Sequence, residues 1–134
     1  MLKNKQTKFR QLITEKGTLI LAGKDAENNE ELVKQIESNE EVFHTALPGS
    51  PFVNIKTGNK KPLPGDVKTA TLFCASKSQD WRDNKKDVVI HKFKGKDIYQ
   101  IKGSKTGSFC VKKLKKIIVK KKDIEKFIST LNKN

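Results

Sequence analysis

A chain of 134 residues has the length of one ordinary domain. With 34% apolar against 33% charged residues it is expected to fold around a thin core beneath a heavily solvated surface, leaving no room for a second domain. Its 29 Lys plus Arg against 15 Asp plus Glu give +14 at pH 7, a balance suited to polyanionic partners. That charge is uneven: 7 basic and 8 acidic residues through Glu41 (net −1) leave 22 basic and 7 acidic beyond it (net +15).

Two short β-prone runs at 9–13 and 18–22, separated by Glu15-Lys16-Gly17, predict a hairpin. After Gly23 the composition turns polar, and Asn28 is the expected cap of a helix in which Glu31 completes a capping box and Leu32, Val33 and Ile36 form the buried stripe. Residues 41–45 and 52–56 read as strands on either side of Leu47-Pro48-Gly49-Ser50-Pro51, whose two prolines and glycine force a rigid, non-helical connection. A polar loop at 57–65 leads to Asp66, the expected cap of a helix that reaches about Lys77 with Val67, Ala70, Thr71 and Cys74 on one face. Further strands are expected at 87–92, 97–101, 108–112 and 116–120 as a meander or hairpin layer. A final helix capped by Asp123 then carries Ile124, Phe127, Ile128 and Leu131 at i, i+3, i+4 and i+7. The expected fold class is α+β, with a mostly antiparallel sheet packed against two or three helices. One domain is expected over 1–134, with its core at about 8–120 and a C-terminal amphipathic helix at 123–133.

No apolar run is long enough to span a bilayer, and residues 1–13 carry charges rather than the apolar stretch of an export signal. Cys74 and Cys110 each sit among apolar neighbours, as small buried hydrophobes do. A reduced, cytoplasmic setting without membrane attachment is the expectation.

Signals of catalysis are poor: there is no Gly-rich phosphate loop ending in Lys-Ser or Lys-Thr, no Gly-x-Ser-x-Gly elbow and no pair of Cys-x-x-Cys knuckles. No catalytic residue, metal or cofactor is expected, and binding is the reading. His44 follows Val42-Phe43, so on a strand it shares a face with Val42 and opposes Phe43. It stands just before the stiff loop, where backbone amides and the Ser50 hydroxyl can meet phosphate beside a ring able to stack or donate; a half-buried strand histidine is the plainer alternative. Residues 102–122 hold nine lysines and no acid, interleaved with Phe109, Val111, Leu114, Ile117, Ile118 and Val119. With the apolar residues turned to the core, Lys102, Lys105, Lys112, Lys113, Lys115 and Lys116 would form a basic band able to neutralise several phosphates; an unemployed solvated face is the alternative.

The chain resembles the NFACT-R domain family, the RNA-binding module of ribosome quality-control proteins. Phe9 and the strand ending at Gly23 lead into Gly23-Lys24-Asp25-Ala26-Glu27-Asn28-Asn29-Glu30, which is similar to the family's Gly-Arg/Lys-Asn/Asp-Ala-x-x-Asn-Asp/Glu signature. Asn39-Glu40-Glu41-Val42-Phe43-His44 resembles Asn-Asp-x-Trp/Phe-Phe-His, with Glu40 in place of Asp and Val42 in place of the large aromatic. Pro48-Gly49-Ser50-Pro51, the series Ala70, Ala75, Ser76 and Trp81, then Gly107-Ser108-Phe109 and Ile117-Ile118-Val119 continue the likeness as far as Val119. The resemblance implies a non-enzymatic module for tRNA or ribosomal RNA in translation or ribosome quality control, with the ribosome and DNA as further possible partners. Such a module would reach nucleotides with Lys24, Asn29, His44, Gly49 and Ser50 while the late lysines hold the backbone. The rival readings are an adaptor for an acidic or ribosomal protein surface and an RNA hydrolase. The hydrolase would rest on His44 near Glu40 and Glu41, of which Glu40 would share its strand face.

Overall fold

Gly17 closes the first hairpin at φ +86°, so β1 (Arg10–Ile13) and β2 (Leu19–Ala22) pair antiparallel with Arg10 opposite Ala22. The computed structural model describes residues 8–131. Helix α1 (Ala26–Lys34) is capped by Asp25, which accepts from the Asn28 N–H. The cap therefore lies three residues before the expected Asn28. The Asn28 carboxamide instead ties the Lys24 N–H to the Lys8 carbonyl. β3 (Glu41–Thr45) matches its expected span, and β4 is shorter, Val53–Ile55.

Helix α2 (Pro64–Ser76) begins earlier than Asp66 because Pro64 fits the first helical turn, where a missing N–H costs nothing. Asp66 is instead buried inside that turn and accepts from the Thr18 hydroxyl, pinning the helix start to the hairpin. A short α3 (Gln79–Asn84), capped by Ser78, was not legible in the sequence pattern. Strand β5 (Val88–Lys94) runs into a 3-10 turn at Gly95–Asp97. Beyond it, β6 (Ile98–Tyr99) and β7 (Cys110–Val111) are shorter than the expected strands, and β8 (Lys115–Val119) follows. Helix α4 (Lys121–Leu131) starts two residues before Asp123, with the Asp87 carboxylate accepting from the Lys121 N–H.

The main sheet has the order β1-β2-β4-β3-β5-β8, every pair antiparallel. Of the expected meander or hairpin layer, a hairpin forms: β6 and β7 leave this sheet as a separate two-stranded antiparallel ribbon, and β8 returns to pair with β5. The pleat divides the apolar residues between two faces. On one, Phe43, Val53 and Ile90 pack with Phe73, Trp81 and Ile124 of the three later helices. On the other, Leu21, Val42, Phe52 and Phe93 pack with Leu32 of α1 and Phe109 of the ribbon segment. Cys74 lies deep in the first core, where burial pushes its thiol pKa up, and Cys110 is half-buried; both are free thiols.

The chain turns into β3 on a buried carboxylate. Glu40 Oε1 accepts from Lys56 Nζ at 2.7 Å and from the Glu37 N–H at 3.0 Å, while Oε2 accepts from the Gly58 N–H at 2.9 Å. Burying this charge is tolerable because each oxygen is paired. Glu40→Ala would take the counter-charge from the Lys56 ammonium, which keeps only the Gln35 carbonyl at 3.2 Å, and leave two amides unmet, so a loss of about 3 kcal/mol in denaturant unfolding is expected. The exposed Glu37→Ala should cost about 0.5 kcal/mol or less. Equal losses would show that the network carries no special share of the stability.

Candidate nucleic-acid interface

Register sets one row of residues across the sheet. His44 lies opposite His91, and His91 opposite Lys116, so the three side chains share a face. The Phe52 ring lies 4.5 Å from the His44 ring, tilted by 34°. Phe109 and Phe93 meet Phe52 edge-on at 5.4 and 6.4 Å. These rings floor a cleft of about 670 Å³. Ala26, Gly107 and Ser108 also line it, as do the Pro48–Pro51 loop and Lys77, Gln79 and Arg82.

Three local constraints hold that geometry. The Phe52 N–H donates to Asn29 Oδ1 at 3.2 Å, and the Phe52 carbonyl accepts from the Gly23 N–H at 3.1 Å. A β-carbon on Gly23 would collide with the Asn29 carboxamide, so the strand and the helix can approach only over a glycine. Gly49 adopts φ +90°, its carbonyl accepts from the Gln79 N–H at 2.9 Å, and a β-carbon there would sit 2.9 Å from Gln79 Cβ. The loop is thus latched to α3. The Ser50 hydroxyl faces inward rather than to solvent, accepting from the Thr45 N–H at 3.0 Å.

His44 Nδ1 lies 2.8 Å from the Thr45 carbonyl. A carbonyl only accepts, so Nδ1 carries the proton and Nε2 of the neutral ring keeps its lone pair. Burial lowers the His44 pKa below its ordinary value and the charge of His91 adds to the lowering, while the Thr45 and Ser50 carbonyls pull the other way. His91 is lowered as well, first by burial and then by Lys116, and its Nε2 is enclosed with no hydrogen-bond partner. The cleft margin carries Arg10, Lys24, Lys77 and Arg82 against one acid, Asp25. Arg10 donates to the Gly23 carbonyl at 2.9 Å, and Arg82 donates to the Lys77 carbonyl and to Gln79 Oε1.

Of the residues singled out in the sequence, Lys24, Asn29, His44, Gly49 and Ser50 all line this cleft. Asn29, Gly49 and Ser50 act there largely as builders, their polar groups bound to the chain itself. Lys112, Lys113, Lys115 and Lys116 are exposed along its border, interleaved with the lining residues Val111 and Leu114. Lys102 and Lys105 fall elsewhere, in a second groove beside Glu27, Glu30 and Glu31. Val42 is fully buried, so the position at which it departs from the family motif belongs to the core. Glu40 and His44 form no pair, since the Glu40 carboxylate is bound to Lys56 and backbone amides. Among the described residues no three His, Cys, Asp or Glu side chains come together to hold a metal. Sequence reasoning missed Arg10, Lys77, Arg82, His91 and Phe109. A usable signal existed: Arg10 and Arg82 are the only arginines in the chain.

Comparison with known proteins agrees with the motif likeness. The family described as NFACT protein RNA binding domain matches residues 8–113. The archaeal Rqc2 homolog aRqcH of Methanocaldococcus jannaschii is 36% identical over 67 residues, covering 49% of this chain and 10% of that protein. The structure of the C-terminal part of the fibronectin/fibrinogen-binding protein from Streptococcus suis matches with a TM-score of 0.74 at 23% identity, over 88% of this chain and 47% of that one, a likeness of fold.

The two lowered histidines give stability a pH dependence. The folded chain binds fewer protons than the unfolded chain once pH drops below the ordinary histidine value of 6.5, so stability is full above it and falls as pH falls toward the folded values. The melting temperature is expected to decline between about pH 7.5 and 5, and to decline less in His44→Gln. A His44→Gln profile parallel to that of the parent would show that the ring titrates as it does in water.

Proposed function

The chain belongs to the family of NFACT protein RNA-binding domains, and on that basis we propose that the cleft is its RNA site and that it works by binding alone. The observation that carries this reading is the placement of the arginines. In a chain whose basic residues are otherwise all lysine, both arginines line one cleft, over a floor of aromatic rings. A guanidinium offers a fixed fork of donors that matches phosphate oxygens in pairs, whereas lysine acts as a point charge. Arg10 and Arg82 are already oriented by bonds to backbone carbonyls, so little further ordering is needed when phosphate arrives. Lys112, Lys113, Lys115 and Lys116 extend the positive field from the cleft toward the β8 edge and draw in a polyanion without reading it. Transfer RNA or ribosomal RNA is the proposed partner, in ribosome quality control or translation in the cytoplasm.

Binding should therefore weaken with salt, and the log–log slope should lose roughly 0.7 to 0.9 for each phosphate contact removed. Arg10→Gln with Arg82→Gln, and separately Lys115→Gln with Lys116→Gln, should each flatten it. Lys102→Gln with Lys105→Gln should change it less, because Glu27, Glu30 and Glu31 already offset those charges. Titration of a fluorescent RNA at several salt concentrations, with melting temperatures recorded for each variant, checks this. A slope unmoved by the arginine pair would place the site outside the cleft.

A further inference from the structure

We propose, on the basis of the RNA-binding reading above, that the cleft admits an unpaired nucleotide and therefore selects single-stranded over fully duplex RNA. The cleft follows the row set by strand register, with Arg10 on β1 at one side, Phe52 and His44 in the middle, and His91 and Leu114 toward β8. Phe52 is buried, and the half-buried His44 and Phe109 both pack against it. These rings share the cleft with Ala26, Gly107 and Ser108 and with the Pro48–Pro51 loop. A base stacked inside a duplex cannot bring its face to them: the deep, narrow major groove of an A-form helix is closed to side chains, and its shallow minor groove offers only base edges and 2′-hydroxyls. An unstacked base can enter edge-first and lie against a ring face, since every base has a π-surface to offer.

The chemistry of His44 suits that occupant better than it suits a phosphate. A neutral imidazole brings no charge to a phosphate, but it presents a flat ring and, at Nε2, an acceptor for a base amine or a ribose 2′-hydroxyl. The cleft that holds this ring is also lined by the cations Arg10, Lys24, Lys77 and Arg82, and Lys116 follows His91 in the row across the sheet. Cations and rings in one cleft suit a strand whose phosphates meet the cations while one base lies against a ring. The exposed Lys115 and Lys116 of β8 are not among the residues lining the cleft and grip either form of RNA.

The test uses one RNA sequence in three forms: single-stranded, annealed as a blunt duplex, and annealed with an unpaired 3′ overhang. Affinity is measured by fluorescence anisotropy at one salt concentration. The single strand and the overhang are expected to bind roughly tenfold or more tighter than the blunt duplex, the scale of one base–aromatic stack. His44→Ala should shrink that ratio toward one, whereas Lys115→Gln with Lys116→Gln should weaken all three forms and keep it. Melting curves confirm that each variant is folded, and His44→Phe, which retains a ring, should preserve the preference better than His44→Ala. Equal affinity for the blunt duplex, or a His44→Ala variant that keeps the full ratio, overturns the inference while leaving RNA binding in place. Failure of the parent protein to bind any of the three overturns the underlying RNA-binding reading as well.

Discussion

Phe52 is held by its backbone from two directions, and much of the molecule is arranged around that clasp. Its carbonyl is tied to the end of β2 through Gly23 and its amide to the start of α1 through Asn29. Both bonds are buried, where an unmet amide or carbonyl would cost about 1 to 3 kcal/mol. Once they form, the hairpin, the first helix and β4 have no freedom to slide past one another. The Phe52 ring is then fixed as the surface on which His44, Phe93 and Phe109 converge. The floor of the cleft is thus a consequence of backbone pairing, with the rings filling positions that the amides dictate.

The two faces of the sheet are covered unequally, and the cleft exists because of that difference. One face is sealed by α2, α3 and α4 around Phe43, Ile90 and Trp81. The other is covered by α1 and the β6–β7 ribbon, which meet Leu21, Val42 and Phe93 but leave the row through His44 and His91 beneath an opening. A partly open sheet face is a costly feature for a protein with so small a core. Buried Glu40, paired with Lys56 and backbone amides, secures the opposite end of β3. It offsets part of that cost by fixing where the strand begins.

Charge is sorted by structure rather than by sequence position. Lys102 and Lys105 belong to the same acid-free run as Lys115 and Lys116, yet the ribbon carries the first pair over to the glutamates of α1 while β8 holds the second beside His91. Glu30 anchors that excursion, accepting from the Gly107 N–H and the Gln100 amide. Those two bonds hold its carboxyl pKa below the usual range. The band of lysines expected from composition is therefore split, and only its later part borders the cleft.

The sequence by itself determined the element types and most of their order, because alternation around Gly17, the Pro48–Pro51 break and the Ile124-to-Leu131 spacing are local patterns that depend on neighbours alone. It also determined that Val42 and Phe43 face opposite ways and that His44 stands at the lip of the stiff loop. The helix starts were misplaced because Asp25, Pro64 and Lys121 compete with Asn28, Asp66 and Asp123 on nearly equal local terms, and long-range partners such as Thr18 and Asp87 decide between them. Composition could have paired Arg10 with Arg82, but not with Lys77, His91 and Phe109, since these come from separate segments brought together only by strand order and by the ribbon's departure from the sheet. Which lysines keep their field, and whether Asn29 and Ser50 point outward or hold the chain, likewise rests on contacts between residues distant in sequence. Backbone periodicity carries no record of such contacts, so only the tertiary structure decided them.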